Sequence, residues 1–357
     1  MALDEMIFLT GFPGFIAGRL VKRLAMEGAH FLLLVQPAFM ERAREEVARL
    51  ALETNMASSS FRLIEGDITQ PDLGLAPLEL ERARSETTIL FHLAAIYDLA
   101  VERNPAWRVN VEGTRNVNQF ALTLPTLRRY HYVSTCYVAG LRTGVILETE
   151  LRHSAGFRNF YEETKYQAEL EVDALKERLP VTIHRPAVVC GDSRTGETAK
   201  YDGIYYLIHY LRKQPSLLSL VNIGNRQVSL NLVPVDFVVE AMTALTTDER
   251  GLGKTLALAD PNPLTTYDLF EAIARTLAGR GSRITAPARL VRSSLSLPFS
   301  PTITGLPYAG VPYFFLNQTY DTTHARELLD AHGIHCPSFP EYVGALIEYV
   351  ERHPKLK

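Results

Sequence analysis

Met6-Ile7-Phe8-Leu9-Thr10-Gly11-Phe12-Pro13-Gly14-Phe15-Ile16-Ala17-Gly18 is the stretch that decides the fold. Met6 to Leu9 is a short apolar run that reads as a buried strand. Beyond the stretch, Arg19-Leu20-Val21-Lys22-Arg23-Leu24 repeats its apolar residues at helical spacing. What lies between is then a tight glycine turn from strand to helix. Gly11 and Gly14 let the backbone approach a pyrophosphate with no Cβ in the way. The helix that follows offers that anion free N–H groups and the positive end of its dipole. Ala17 stands at the third small position of the fingerprint and still permits close packing of helix on strand.

Outward from the turn, apolar runs alternate with helical patterns. The spacing predicts strands at Met6–Leu9, Phe31–Val35, Phe61–Ile64, Ile89–Leu93, His131–Ser134 and Val181–His184. It predicts helices near Arg19–Glu27, Ala38–Ala51, Val111–Leu122 and Glu162–Arg178. Such alternation implies an α/β chain with a parallel sheet covered on both faces, whose ligand lies at the carboxyl ends of the strands. No internal repeat or low-complexity tract interrupts it.

Composition sets the outer bounds. With 357 residues, 46% hydrophobic and 22% charged, the chain has enough apolar material for one large core or two modest ones. A net charge of -3 argues against nucleic acid or an acidic membrane surface as the main partner. Cys136, Cys190 and Cys336 are odd in number and not spaced as metal ligands, which suits a reduced, cytoplasmic setting. The first strand begins too early to leave room for a secretory leader. No run reaches the ~18 apolar residues of a spanning helix; the nearest, Thr87 to Val101, is broken by His92 and Asp98. His332-Gly333-Ile334-His335-Cys336 lacks the helical His-Glu-x-x-His pattern and further spaced ligands, so no metal is expected.

A second signal lies in the middle of the chain, at Tyr161-Glu162-Glu163-Thr164-Lys165. On a helix the i, i+4 spacing stacks Tyr161 over Lys165, and an ammonium close to a phenol favours the phenolate, lowering a pKa that starts near 10. Tyr161 is then expected to exchange a proton near neutral pH. Upstream, Val133-Ser134-Thr135 ends a predicted strand in two hydroxyls, and period-two alternation turns them to opposite faces. With the glycine turn, these residues point to a nucleotide-bound redox enzyme.

The ordered motifs carry a resemblance. Thr10-Gly11-x-x-Gly14-x-x-Ala17, Gly66-Asp67-Ile68-Thr69, His92-Leu93-Ala94-Ala95, Asn110-Val111-Glu112-Gly113-Thr114, Val133-Ser134-Thr135, Tyr161-x-x-x-Lys165 and Arg185-Pro186-Ala187-Val188-Val189 follow one another as in extended short-chain dehydrogenases/reductases. The match spans most of residues 1–240. Tyr132-Val133-Ser134-Thr135-Cys136-Tyr137-Val138-Ala139-Gly140 and Gly191-Asp192-Ser193-Arg194-Thr195-Gly196-Glu197 narrow it to the male-sterility type, which includes fatty acyl-CoA reductases and thioester reductase domains.

The resemblance implies a Rossmann-type doubly wound parallel sheet with a smaller, interleaved C-terminal substrate lobe. Residues 1–190, with 226–260 returning to them, would form the NAD(P)-binding domain; 191–225 and 261–357 would form the substrate lobe and a closing helix. It implies hydride transfer to a hydrophobic carbonyl compound. Tyr161 would donate the proton, Thr135 hold the carbonyl oxygen, Lys165 bond the nicotinamide ribose, and Asn110 support the site and its relay water. Gly11, Phe12, Pro13, Gly14, Phe15 and Ile16 would cradle the dinucleotide, with Leu93, Ala94 and Ala95 beside them. Asp67 and Ile68 would meet the adenine, and Pro186, Ala187 and Val188 the nicotinamide carboxamide. Asn110 also reads as a surface or capping residue, and Asp67 as a helix cap.

Cofactor choice turns on the end of the second strand, Leu34-Val35-Gln36-Pro37. Gln36 stands where a carboxylate would bind the 2′-hydroxyl of NAD, and Arg42 or Arg44 could reach a 2′-phosphate, so the reading favours NADP(H) over NAD(H). Lys200 to Leu211 is dense in aromatics, and Leu295 to Leu316 mixes apolar residues with Pro298, Pro301, Pro307 and Pro312, as in an apolar pocket or its lid. Arg212 and Lys213 are candidate contacts for a phosphopantetheine or nucleotide phosphate. The expected substrate is an acyl thioester, as free acyl-CoA or on a separate carrier protein, reduced to aldehyde or alcohol. A ketone or aldehyde paired with its alcohol is the alternative. A non-catalytic NAD(P) sensor is the third reading, disfavoured because both Tyr161 and Lys165 are present. Monomer and homodimer both remain open.

Overall fold

The computed structural model describes residues 3–295 and 308–355. Strands β1 (Met6–Thr10), β2 (His30–Val35), β3 (Phe61–Glu65), β4 (Ile89–His92) and β5 (Arg129–Val133) alternate with helices α1 (Phe15–Met26), α2 (Met40–Thr54) and α3 (Pro77–Glu86). A short α4 (Arg103–Ala106) runs through a π-helical turn, Trp107–Glu112, into α5 (Gly113–Ala121). There follow β6 (Gly144–Ile146), α6 (Phe160–Asp173), β7 (Val181–Pro186) and β8 (Val188–Cys190). All six strands expected from the apolar runs occur, with ends shifted by at most two residues. Helix α3 was not anticipated because only Leu80 and Ala83 of its ten residues are buried, too few for a periodic stripe.

The remaining elements are α7 (Ile204–Lys213), α8 (Pro215–Leu218), β9 (Val221–Asn222), β10 (Leu232–Pro234), α9 (Val235–Ala244), β11 (Thr255–Leu258), α10 (Thr266–Ala278), β12 (Ile284–Thr285), α11 (Ala288–Leu295) and β13 (Gln318–Tyr320). Two further helices, Thr323–Asp330 and Phe339–Arg352, complete the described chain. Of the proline-rich stretch singled out in the sequence, Pro298, Pro301 and Pro307 lie outside the described residues.

Seven parallel strands form the central sheet in the order β11-β7-β5-β4-β1-β2-β3. The strand order reverses between β1 and β4, so the crevice at their carboxyl ends is where a doubly wound sheet takes its ligand. One face of the sheet is packed by Leu20, Val21 and Leu24 of α1 together with Val238, Ala241 and Met242 of α9. The other is packed by Val117 and Phe120 of α5 and Ala168 and Val172 of α6. A third apolar cluster joins Ile204 and Ile208 of α7, Phe270 and Ile273 of α10, and Tyr342 and Leu346 of the closing helix. Outside the central sheet, three short parallel pairs join further segments: β10 on β8, β12 on β9 and β13 on β6. The fully buried Glu148 fastens three segments at once, accepting the N–H groups of Ala257 (2.7 Å), His324 (2.6 Å) and Ala325 (3.1 Å). Among the described residues, no helix is long and apolar enough to cross a membrane.

Candidate active site

The glycine turn leaves β1 at the crevice. Gly11 has φ +95°, and a Cβ there would stand 2.9 Å from the backbone nitrogen of Ala94; one at Gly14 would stand 2.7 Å from the Gly11 carbonyl oxygen. Only glycine fits both positions without displacing backbone. Helix α1 starts with no side-chain cap at Gly14 and no acidic residue in its first turn, so its leading N–H groups are free to meet an anion. Phe12 and Pro13 are buried beneath the turn, while Phe15 and Ile16 are half-buried above it. These features fit a dinucleotide pyrophosphate, and Leu93, Ala94 and Ala95, all half-buried, form the facing wall.

Thr135, Tyr161 and Lys165 come together at the carboxyl edge of β5. Thr135 is extended (φ -159°) and opens the 3-10 turn Cys136–Ala139, its Oγ1 accepting the Tyr137 N–H at 3.1 Å. Tyr161 is buried, with the Thr135 hydroxyl beside its phenol. Ser134 turns elsewhere and donates to the buried Glu169 carboxylate. Glu169 is itself locked to Arg185, at 2.5 and 2.8 Å, both side chains being buried.

Lys165 departs from the expected pairing. Its Nζ donates to the Tyr132 hydroxyl (2.9 Å) and to the Val133 carbonyl (2.9 Å), and it lies 4.5 Å from the centroid of the Tyr132 ring. An ammonium has three N–H donors, so one is left for a ligand. The expected lowering of the Tyr161 pKa is also reversed: burial raises the phenol above its ordinary value, opposed by the neighbouring Thr135 hydroxyl, and the protonated form dominates at neutral pH. Burial pulls Lys165 down to about 7, with the Glu169 carboxylate acting against it. Stacking at i, i+4 does not make the lysine the phenol's partner, because β5 offers the ammonium a hydroxyl and a carbonyl.

A buried polar chain runs from this point to the glycine turn. The Tyr132 hydroxyl sits beside that of Thr114. Thr114 Oγ1 lies 3.0 Å from His92 Nε2, and His92 Nδ1 lies 2.7 Å from Thr10 Oγ1, which also accepts the Ala94 N–H at 3.2 Å. Burial and, secondarily, the charge of Lys165 push His92 down to about 3, so it is neutral. Asn110 sits in the π-helical turn, a local geometry frequent at functional sites. It is buried, and its Oδ1 accepts the Ile96 N–H (2.8 Å) while Nδ2 donates to Thr164 Oγ1 (3.0 Å) and the Ile96 carbonyl (3.3 Å). It is therefore neither a surface nor a capping asparagine: it ties the loop after β4 to helix α6.

The outer contacts are less committed. Asp67 is half-buried and its Oδ1 accepts the N–H of Thr69 at 2.8 Å, so that oxygen serves its own turn; Ile68 is buried against Gly113. Gln36 is half-buried at the end of β2. Pro186, Ala187 and Val188 lie where the chain leaves the main sheet, Ala187 N–H bonding Leu258 of β11 and Val188 N–H bonding Asn231 ahead of β10. No cluster of metal-ligating side chains occurs among the described residues.

Four features escaped the sequence reading. Tyr132 anchors Lys165, and its only signal was a polar-tipped aromatic in a strand whose first four residues are buried. Tyr97 packs edge-on against Tyr161, ring centroids 5.3 Å apart, from a loop with no periodicity to flag it. Glu162, fully buried next to Tyr161, is held by Arg158 (2.9 Å) and by the Tyr313 hydroxyl (2.6 Å), which ties the segment Tyr308–Phe315 to the start of α6. The Gly191–Glu197 loop is clamped from two sides, Arg19 of α1 meeting Asp192 (3.3 Å) and Glu197 (2.6 Å), and Ser193 Oγ donating to Asp236 of α9 at 2.6 Å.

Comparison with known proteins adds to this geometry. The family model described as male sterility protein matches residues 9–242. The chain is 27% identical over 269 residues to the non-canonical nonribosomal peptide synthetase cpsA of Aspergillus campestris, covering 70% of this chain and 25% of that protein. It is 25% identical over 280 residues to the fatty acyl-CoA reductase wat of Drosophila melanogaster, covering 68% of this chain and 54% of that one. The chain thus spans about a quarter of the first relative and about half of the second. Among solved structures, the terminal R domain of the myxalamid PKS-NRPS pathway superposes with a TM-score of 0.82 at 24% identity, covering all of this chain and 92% of that one, a likeness of fold.

Proposed function

The chain belongs to the male sterility protein family and is an NAD(P)-dependent reductase of the extended short-chain type; from that premise we propose that it reduces a hydrophobic acyl thioester, free on CoA or held on a separate carrier protein, to the aldehyde or alcohol. The observation that carries this reading is the buried Tyr161 phenol, which burial keeps in its acid form beside the Thr135 hydroxyl at the carboxyl edge of the sheet. A phenol held in its acid form suits the reductive direction, in which the carbonyl oxygen gains a proton as it gains electrons. The similarity to a fatty acyl-CoA reductase and to a peptide synthetase supports the thioester as the group reduced.

A dinucleotide held by the Gly11–Ile16 turn would supply the hydride. Thr135 would hold the carbonyl oxygen and Tyr161 Oη would deliver the proton to it. Lys165 would use its remaining N–H on the ribose, and Tyr132 with the Val133 carbonyl fix where its ammonium points. Asn110 would keep the loop Ala94–Ile96 and helix α6 in register and so set the width of the cleft. Breakdown of the first reduction product releases the thiol and yields the aldehyde. The cofactor we favour is NADP(H): no carboxylate ends β2, Arg44 is paired with Glu41 at 3.0 Å, and the exposed Arg42 is the cation left for a 2′-phosphate.

The test is oxidation of NADPH and, separately, NADH by the purified protein with acyl-CoA thioesters, and in parallel with hydrophobic ketones and aldehydes, using Tyr161→Phe as control. Tyr161-dependent turnover of thioesters is expected. Turnover of ketones or aldehydes alone would replace the thioester reading with that of an alcohol dehydrogenase. Tight dinucleotide binding without turnover of either class would leave a sensor.

A further inference from the structure

Charge is spread unevenly along this chain. Residues 203–235 and 272–320 contain eight arginines and lysines and no aspartate or glutamate. In a chain of net charge -3 this leaves the remaining residues at -11. The fold then brings the two acid-free stretches together. β12 pairs in register with β9, setting Ile284 beside Val221. The N–H groups of Arg283 and Ile284 both reach the Leu220 carbonyl, at 2.9 and 3.1 Å, and the Arg280 guanidinium donates to the Ser216 carbonyl at 2.9 Å. Thus α8, β9 and β12 form one face of the lobe, and α11 begins three residues after β12.

Arg283 and Arg289 are exposed on these elements. So are four aliphatic side chains, Leu217, Val221, Ile284 and Leu290, each between 40% and 66% exposed. Glu271 of α10 is turned inward from them, its side chain 13% exposed. It accepts the buried Asn222 side-chain N–H at 2.8 Å and the Ser282 N–H at 3.2 Å.

We propose that this face docks on the surface of an anionic lipid bilayer, with its cations at the headgroup phosphates and its aliphatic side chains at the boundary of headgroup and acyl chain. Net charge, which argued against an acidic membrane surface, averages over the segregation just described. With a Debye length of about 8 Å, a nearby surface feels the face turned toward it and little of the far side. A protein partner is oriented by a pattern of charges that fixes register. Eight cations without a carboxylate carry no such pattern and suit a surface that is laterally uniform. A nucleic acid calls for aromatic platforms between the cations, whereas the large apolar side chains exposed on α8, β9, β12 and α11 are aliphatic. The proposal is independent of the reduction proposed above, which could take its substrate from water or from lipid.

The experiment is cosedimentation of the full chain with vesicles of phosphatidylcholine alone and of phosphatidylcholine and phosphatidylglycerol in equal parts. Binding to the mixed vesicles alone is expected, weakening as salt is added. Arg283→Gln/Arg289→Gln lowers the partition coefficient about 25-fold, which is about fivefold per cation. Ile284→Asn lowers it about tenfold through lost apolar burial. Arg49→Gln/Arg82→Gln removes the same charge from α2 and α3 and leaves partition unchanged. Thermal unfolding midpoints equal to the wild type show that the variants are folded. No binding to the mixed vesicles at low salt, equal binding to neutral ones, or equal weakening by both double variants would overturn the proposal. Failure to bind vesicles, joined with a complex with an acidic acyl carrier protein that Arg283→Gln/Arg289→Gln abolishes, would overturn it in favour of a protein partner.

Discussion

Acidification from pH 7 to 5 should destabilise this protein through histidines that the fold holds neutral. His92, His131 and His184 are each at most 1% exposed. His131 Nδ1 faces His184 Nε2 at 3.0 Å, and its own Nε2 faces the Thr246 carbonyl at 3.2 Å. His184 Nδ1 has no partner among the described residues. Burial pushes His131 down to about 3, and His92 likewise with help from the Lys165 charge. His184 falls well below the usual range through burial and then His131. Each folded pKa is depressed below the unfolded value near 6.5, so the stability this contributes is fully present above 6.5 and is lost as pH falls toward the folded value. At pH 5 an unfolded histidine has gained its proton and the folded one has not, a loss of about 2 kcal/mol per residue, or about 4 kcal/mol for His92 and His131 together. The third histidine adds in the same direction. The carboxyls of Glu148, Asp202 and Asp260, which burial raises, act in the opposite sense at the acid end of the range. Against a total of about 5–15 kcal/mol this is a large share. Urea unfolding between pH 7.5 and 5 is the assay, with an expected slope of about 3–4 kcal/mol per pH unit below 6 from two to three protons taken up on unfolding. A change under about 1 kcal/mol over that range, at constant m-value, would show that these rings are protonated or hydrated in the folded protein and refute the reasoning.

Tyr161→Phe removes the proton donor and leaves the ring packed on Tyr97; kcat should fall by about a hundred- to ten-thousand-fold while the dinucleotide Kd stays near that of the wild type, measured by fluorescence titration and turnover. Tyr132→Phe removes one of the two groups that hold Lys165 Nζ, and loss of a charge-assisted hydrogen bond predicts a dinucleotide Kd raised about tenfold and a displaced acid limb in the pH profile of kcat/KM. Wild-type binding and an unmoved profile in that variant would show that Tyr132 serves packing alone. Arg42→Ala should weaken NADPH by about tenfold and leave NADH unaffected; equal effects on both would remove Arg42 from the 2′-phosphate site.

Much of the sheet was legible because its signals are local. A strand buried on both faces reads as an apolar run, and a turn that needs φ +95° needs glycine, so Met6 to Gly14 specifies strand, turn and helix within one window of sequence. Tyr161 and Lys165 were legible as a pair for the same reason, lying one turn apart on one helix. Their partners were not. The residue that holds the lysine, Tyr132, is 33 positions away on a neighbouring strand. Neither spacing nor propensity records such a contact; it exists only once β5 lies beneath α6.

By itself, the sequence determined the alternation of strands and helices, the glycine cradle, and the residues from which a reductive site can be built. The tertiary structure decided how those residues are charged and what faces them. Burial raises the Tyr161 phenol and lowers Lys165 to about 7, where adjacency on the helix had suggested a lysine-stabilised phenolate. It also gathers Leu207, Phe270, Val291 and Phe314 from four separated segments around one pocket. Desolvation and cavity shape are properties of what surrounds a group in three dimensions, and in this chain those surroundings come from residues far apart along it.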